Sequence, residues 1–233
     1  MKRLLDVYSL PDVVPSKVDA DRFTSFMEEL QSSTPDRTVI YPTTFSLPTD
    51  FRTHVLKSIK TAKRKKAPGP DKVRTEVFSV VPDLFADALS ELWAAVGRTA
   101  HIPPILTCAT LRPVYKSGDP IMPSNYRPIV LTTSFRRIIS ASLNRILDES
   151  KPFIHRNQWG FRRSSNTECA IAYATQNMRA GKNIVALLDL QKANDRVPRN
   201  MLMDMSNNTV NENMSCQIRP LLYPMCLKTI GQI

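Results

Sequence analysis

Glycine is scarce, at 6 of 233 residues, whereas proline reaches 18. That balance excludes a flexible Gly/Ser linker protein and favours rigid connections between helices. Cysteine is limited to Cys108, Cys169, Cys216 and Cys226, with no C-x-x-C pair. His54, His101 and His155 sit at no metal-ligand spacing from them. A zinc module and a disulfide scaffold are thereby excluded, and buried free thiols in a reducing compartment are expected. No apolar run approaches the length of a membrane span. Met1-Lys2-Arg3-Leu4-Leu5 begins like a leader, but Asp6 interrupts it before an h-region forms. The chain is therefore expected to be soluble and intracellular, nuclear or cytoplasmic, neither secreted nor membrane-bound. Adjacent Asp-Asp is also missing throughout.

Positive charge is what the chain has in excess. Its formal net charge is +11 and its pI about 9.7. Such an excess favours polyanionic partners, because each phosphate neutralised by Lys or Arg releases condensed counterions. Charge alone does not separate nucleic-acid binders from other basic proteins.

Periodicity supplies the elements. Asp19 or Asp21 is placed to cap a short helix carrying Phe23, Phe26 and Leu30, followed by loop to about residue 48. Phe51, Val55, Leu56 and Ile59 recur at helical spacing in a segment running into Lys63-Arg64-Lys65-Lys66. Ala67-Pro68-Gly69-Pro70-Asp71 stops any helix. A long helix follows, with Pro82 in its first turn and a stripe of Leu84, Phe85, Ala88, Leu89, Leu92, Trp93 and Val96; Gly97 is expected to end it. Ala109 to Tyr115 reads as a strand, Ser117-Gly118-Asp119-Pro120 as a turn, and Pro128 to Leu131 as the hairpin partner. Thr132 or Thr133 caps the next helix, which buries Phe135, Ile138, Ile139, Leu143, Ile146 and Leu147. Asn166 to Ala180 is helical, and the almost wholly apolar Asn183 to Leu190 suits a strand buried on both faces. There are no repeats. The fold class is α+β, since no regular βαβ spacing appears.

Five blocks then stand in order. They are Lys66-Ala67-Pro68-Gly69-Pro70-Asp71, Leu111 to Asp119 (L-R-P-V-Y-K-S-G-D), Asn125 to Leu131 (N-Y-R-P-I-V-L), Gln158-Trp159-Gly160-Phe161-Arg162, and Leu188 to Val197 (L-D-L-Q-K-A-N-D-R-V). Together they resemble the reverse transcriptases of non-LTR retrotransposons, whose fingers open with K-A-P-G-P-D-G and whose first palm motif is D-x-x-K-A-F-D-x-V. The resemblance covers residues 66 to 197. It implies a partial right-hand polymerase fold: an N-terminal extension over 1–48, helix-rich fingers with a β-hairpin over 49–182, and the start of the palm sheet over 183–233. The palm is expected to be cut off before it is complete.

The same resemblance implies the chemistry. These polymerases extend a DNA primer on an RNA template with deoxynucleoside triphosphates, using two Mg²⁺ ions held by converging carboxylates. Asp189 corresponds to the first metal ligand, and the Leu190 carbonyl also faces a metal. Without its neighbours, an Asp after an apolar strand reads as a turn or cap residue. Lys116 and Arg127 match the two fingers cations that hold the triphosphate, one a point charge and the other a planar fork. Gln158, Phe161 and Arg162 fall where fingers meet template and palm. For Trp159 and Phe161, core packing and base stacking are equally open. Lys65 and Lys66 suit nucleic-acid phosphates, a nuclear-localisation signal, or a solvated helix end. Two departures cut against activity. Asn194 stands where the family has the aromatic that rejects a ribose 2′-hydroxyl, which puts sugar selection in doubt. After Asp189 the only acids are Asp195, Asp204 and Glu212. A polymerase portion inactive alone is therefore expected, with a non-catalytic nucleic-acid-binding remnant as the alternative. A chain that does not fold stably is a third possibility, and nothing in the sequence sets an oligomeric state.

Overall fold

The computed structural model describes residues 17–32, 43–150, 154–162, 164–181, 186–190, 193, 197, 199–210, 212–222 and 226–229. Helices α1 (Ala20–Ser32), α2 (Phe51–Lys60), α3 (Pro82–Thr99) and α4 (Pro104–Thr107) precede a hairpin of β1 (Cys108–Tyr115) and β2 (Tyr126–Thr132). Then come α5 (Ser134–Glu149), α6 (Thr167–Arg179), α7 (Arg199–Thr209), α8 (Glu212–Leu222) and β3 (Cys226–Thr229). The sheet order is β2-β1-β3, with β1 antiparallel to β2 and parallel to β3. The class is α+β.

The main core lies where α2, α3 and α5 meet. Phe51, Val55 and Ile59 of α2 face Leu89, Trp93 and Val96 of α3 and Ile138, Ile139 and Leu143 of α5. Phe78 closes one end, edge-on to Phe85 at 4.8 Å and to Phe135 at 5.1 Å. Met214 of α8 packs into the same cluster. Each such side chain stabilises by roughly 1.5–3 kcal/mol on burial. A smaller core joins α1 to the hairpin, with Val18, Phe23, Met27 and Leu30 against Leu111 and Tyr126.

Local signals are used much as the sequence proposes. Asp19 caps α1, its Oδ2 accepting from the Arg22 N–H at 3.3 Å. Pro82 occupies the first turn of α3, where its missing N–H costs nothing. The Thr133 side chain caps α5 by accepting from the Arg136 N–H at 3.3 Å, and Asn166 caps α6 by accepting from the Cys169 N–H at 2.9 Å.

Several expectations are corrected. Gly97 does not end α3, which continues to Thr99 and is closed by Ala100 at φ +52°. Gly97 is there for close approach: a Cβ on it would lie 2.5 Å from the Phe45 carbonyl oxygen. Leu84 and Ala88 are exposed, because α2 and α5 cover only one side of α3 and leave the rim of its stripe outside. The basic run falls after α2, which stops at Lys60, rather than within its last turn. Cys108, Cys169 and Cys216 are free thiols but only half-buried. Helix α6 forms, yet buries no residue. The expected buried strand at 183–190 is not found over 186–190, which forms no ladder with the described residues and leaves Leu187 93% and Leu188 94% exposed. An apolar run becomes a strand only beside a partner, and β1 already has one on each edge.

Candidate nucleic-acid interface

The hairpin is the best-defined candidate. Its ladder ends at Tyr115 opposite Tyr126, whose rings meet edge to face at 5.5 Å. Those tyrosines lie on the face that packs against α1. Side chains alternate along a strand, so Lys116 and Arg127, each one residue further on, project from the opposite face. The Lys116 N–H donates to the Asn125 carbonyl at 2.9 Å, which extends the ladder one step. Lys116 and Arg127 are thus diagonal neighbours on a single face, and both are exposed. Arg112, opposite Ile129, lies on that face as well and was not singled out from the sequence. Strand alternation carried through the hairpin register is the signal that points to it.

The tip between the strands is held by its own hydrogen bonds. The Tyr115 hydroxyl donates to the Gly118 carbonyl at 2.5 Å, and the Tyr126 hydroxyl to the Pro120 carbonyl at 2.6 Å. Asn125 Nδ2 donates to the Asp119 carbonyl at 3.0 Å, while Asp119 Oδ1 accepts from the Ile121 N–H at 2.9 Å. Gly118, at φ +96°, adopts a backbone that a side chain would strain. Asp119 is the acid in this loop, and its carboxylate is turned inward to the backbone. The two cations are therefore mounted on a tip already ordered before any ligand arrives.

The Lys66–Asp71 block proves architectural. Gly69 is buried, and the Lys72 N–H donates back to its carbonyl at 3.0 Å. Asp71 accepts from the Val73 N–H at 3.3 Å and, through its other oxygen, from the Ser134 N–H at 3.4 Å. Ser134 answers by donating its hydroxyl to the Val73 carbonyl at 2.6 Å. A carboxylate at the first turn of α5 also complements the helix dipole. The Thr133 hydroxyl donates to the Ile105 carbonyl at 2.6 Å, and the buried Arg136 guanidinium to the Leu106 carbonyl at 2.6 Å. Burial lowers the pKa of that guanidinium from the usual arginine value.

Lys65 and Lys66 are exposed on the turn that precedes this block. The turn is tethered through the Lys65 N–H, which donates to Glu76 Oε1 at 2.5 Å. That bond, helped by Arg74 and Arg64, holds the Glu76 carboxyl below its ordinary value of 4.5. The lowered value means the tether contributes stability above about pH 4.5 and loses it as pH falls through the lower folded pKa. Lowering the pH from 7 to about 3 should therefore reduce the urea midpoint more in the parent than in Glu76→Gln. Equal losses in the two proteins would show that the tether contributes nothing.

The remaining candidates do not converge. Gln158 and Arg162 are exposed, Gln158 Nε2 donating to the Gly160 carbonyl at 3.0 Å. Trp159 is half-buried against Tyr173, with ring centroids 5.7 Å apart. Phe161 is fully exposed at φ +59°, so core packing does not account for it. Asp189 and Leu190 lie on the exposed, unpaired segment, and among the described residues no metal-ligating group includes Asp189. The described residues therefore do not fit a pair of Mg²⁺ ions. Asn194 lies outside the described residues.

One acid–histidine group does occur, formed by Asp50, His54 and Glu149. His54 Nε2 is 3.0 Å from Asp50 Oδ2 and 3.5 Å from Glu149 Oε2, while the buried Nδ1 finds no partner among the described residues. A metal on Nε2 would force the proton onto Nδ1, where no described residue accepts it. Metal-bound histidines almost always have such an acceptor. The geometry suits Nε2–H donating to Asp50, a structural bond within the first turn of α2, with Glu149 at the end of α5 beside it. No helix among the described residues is long and apolar enough to cross a membrane. No family model matches the chain.

Proposed function

We propose that the chain carries the fingers and the first palm motif of an RNA-directed DNA polymerase of the non-LTR retrotransposon type. In this reading the hairpin face holds the incoming triphosphate, and the basic surface holds RNA template and DNA primer. The observation that carries it is the placement of Lys116 and Arg127 as exposed diagonal neighbours on one face of an ordered hairpin tip. The five ordered sequence blocks supply the family. Nucleotidyl transfer needs several carboxylates around two divalent ions, and among the described residues no metal-ligating group includes Asp189. The expected activity of this chain is therefore binding without catalysis.

The isolation of Asp189 favours a second reading, a nucleic-acid-binding module that handles no nucleotide. The two differ in triphosphate binding, which only the first requires. Titrating a labelled RNA–DNA hybrid at about 50 mM and about 200 mM salt tests what they share. Affinity should fall by roughly tenfold or more across that range, as counterion release dictates. Hybrid binding undetectable at the lower salt removes both readings. Primer extension that depends on Asp189 would instead refute the absence of catalysis.

A further inference from the structure

Away from the hairpin face, a cavity of about 320 Å³ opens between α2, α5 and the turn carrying the basic run. Lys63 and Lys66 approach it from the turn, and Arg137 and Arg145 from α5. Hydroxyls of Ser58, Thr61 and Thr75 complete its polar wall. No carboxylate lines it, and no ion pair of the described residues involves any of its four cations. Glu76, next to Thr75, is turned to the Lys65 N–H.

Four cations gathered without a counter-charge repel one another, so an arrangement of this kind is stabilised by an anion. Arg145 is held in place by donating from Nε to Ser58 Oγ at 3.1 Å and from its terminal nitrogen to Thr61 Oγ1 at 2.5 Å. Those bonds fix one wall without using a carboxylate. Arg137 and Arg145 are two helical turns apart, about 12 Å along the axis. That span exceeds a single phosphate and matches a ligand with several phosphates in a row. Ile138, fully buried, and Ala141 lie between them and leave the floor uncharged.

We propose that this cavity is an oligophosphate-binding site distinct from the hairpin. The ligand chemistry is a short run of linked phosphates, supplied either by a nucleic-acid backbone or by a free oligophosphate. The proposal does not depend on the polymerase reading. β2 separates Arg127 from the α5 cap by about 20 Å of extended chain, so the two sites can be tested apart.

The test starts from a protein in which Lys116→Ala and Arg127→Ala have removed the hairpin cations. Inorganic tripolyphosphate and a single-stranded oligonucleotide are titrated by calorimetry into this protein, and then into one also carrying Lys66→Gln and Arg137→Gln. Both added substitutions lie on exposed or half-buried side chains, and unchanged thermal melting verifies the fold. Tripolyphosphate should bind the first protein, and the second should bind it at least roughly tenfold more weakly, since charge-assisted hydrogen bonds are removed. Oligonucleotide displaced by tripolyphosphate would identify the backbone as a source of the phosphates. Tripolyphosphate binding without oligonucleotide binding would identify the free form. Failure of tripolyphosphate to bind the first protein, or equal affinity in the two, overturns the proposal whatever the hairpin does.

Discussion

Gly69→Ala is expected to lower the stability of the fold by about 3 kcal/mol, at the upper end of overpacking costs. A Cβ at this position would press on the Thr132 carbonyl group, whose carbon would lie at 2.6 Å, with the Thr133 nitrogen at 2.8 Å. Both are backbone atoms at the junction of β2 and α5, so no side-chain rotation relieves the clash. Moving the loop outward would instead stretch the Asp71 bonds to Val73 and Ser134 and the Ser134 bond to Val73. Removing a cap of this kind costs roughly 1 kcal/mol by itself. For a chain of this size a loss of about 3 kcal/mol corresponds to a fall in Tm of roughly 6–12 °C. Gly160→Ala is the matched control. Its Cβ would meet nothing nearer than Gln158 Nε2 at 4.0 Å, and its stability should stay within about 0.5 kcal/mol of the parent. If both variants melt alike, Gly69 is not a close-approach glycine and the docking of this loop onto α5 is wrong.

The same loop shows how far the sequence could be read. Its composition announced a helix stop, and that part rests on local chemistry which needs no tertiary context. Pro82, Thr133 and Asn166 were legible for the same reason, as was the hairpin, where alternation and a Ser-Gly-Asp-Pro turn act over a few residues. What Gly69 and Asp71 touch was not legible, because their partners lie more than sixty residues further along the chain. β3 was missed on similar grounds. Four residues pairing in parallel with β1 across more than a hundred residues leave almost no local trace. α8 was hidden by Pro220 within it, although a proline near the carboxyl end disrupts little of the ladder. The error at 186–190 came from treating apolar composition as burial. Hydrophobicity states what a segment would gain from a partner and cannot state that one is present. At the candidate site, Lys116 and Arg127 were legible through the resemblance, but their common face required the register. Arg137 and Arg145 were not singled out in the sequence, because only the fold brings α2 and the basic turn together beside them.

The largest functional effect is expected from removing both hairpin cations. In the Lys116→Ala, Arg127→Ala protein, affinity for a deoxynucleoside triphosphate should fall roughly a hundredfold, about tenfold for each cation that no longer donates to a phosphate oxygen. The two substitutions should leave stability nearly unchanged, because both side chains are exposed and neither belongs to the face packed on α1. Arg127→Lys separates charge from shape. It keeps the positive charge and removes the planar fork that grips two phosphate oxygens together, so its effect should be smaller than that of Arg127→Ala. Arg112→Ala asks how far along the face the ligand reaches. Arg112 lies four residues before Lys116 on the same strand face, about 13 Å away, so a triphosphate gripped at the tip between Lys116 and Arg127 leaves Arg112 at the far end of the row. Its removal should therefore cost the triphosphate little and the RNA–DNA hybrid more. Calorimetric titration of each variant with nucleotide and then with hybrid gives the comparison. The cavity beside α5 can bind triphosphate as well, so the measurement is made on proteins already carrying Lys66→Gln and Arg137→Gln. An unchanged nucleotide affinity in the hairpin double variant would remove the polymerase reading and leave a basic nucleic-acid-binding surface. A hundredfold fall in the double variant, with a smaller loss in Arg127→Lys than in Arg127→Ala, would mark the hairpin tip as a phosphate grip.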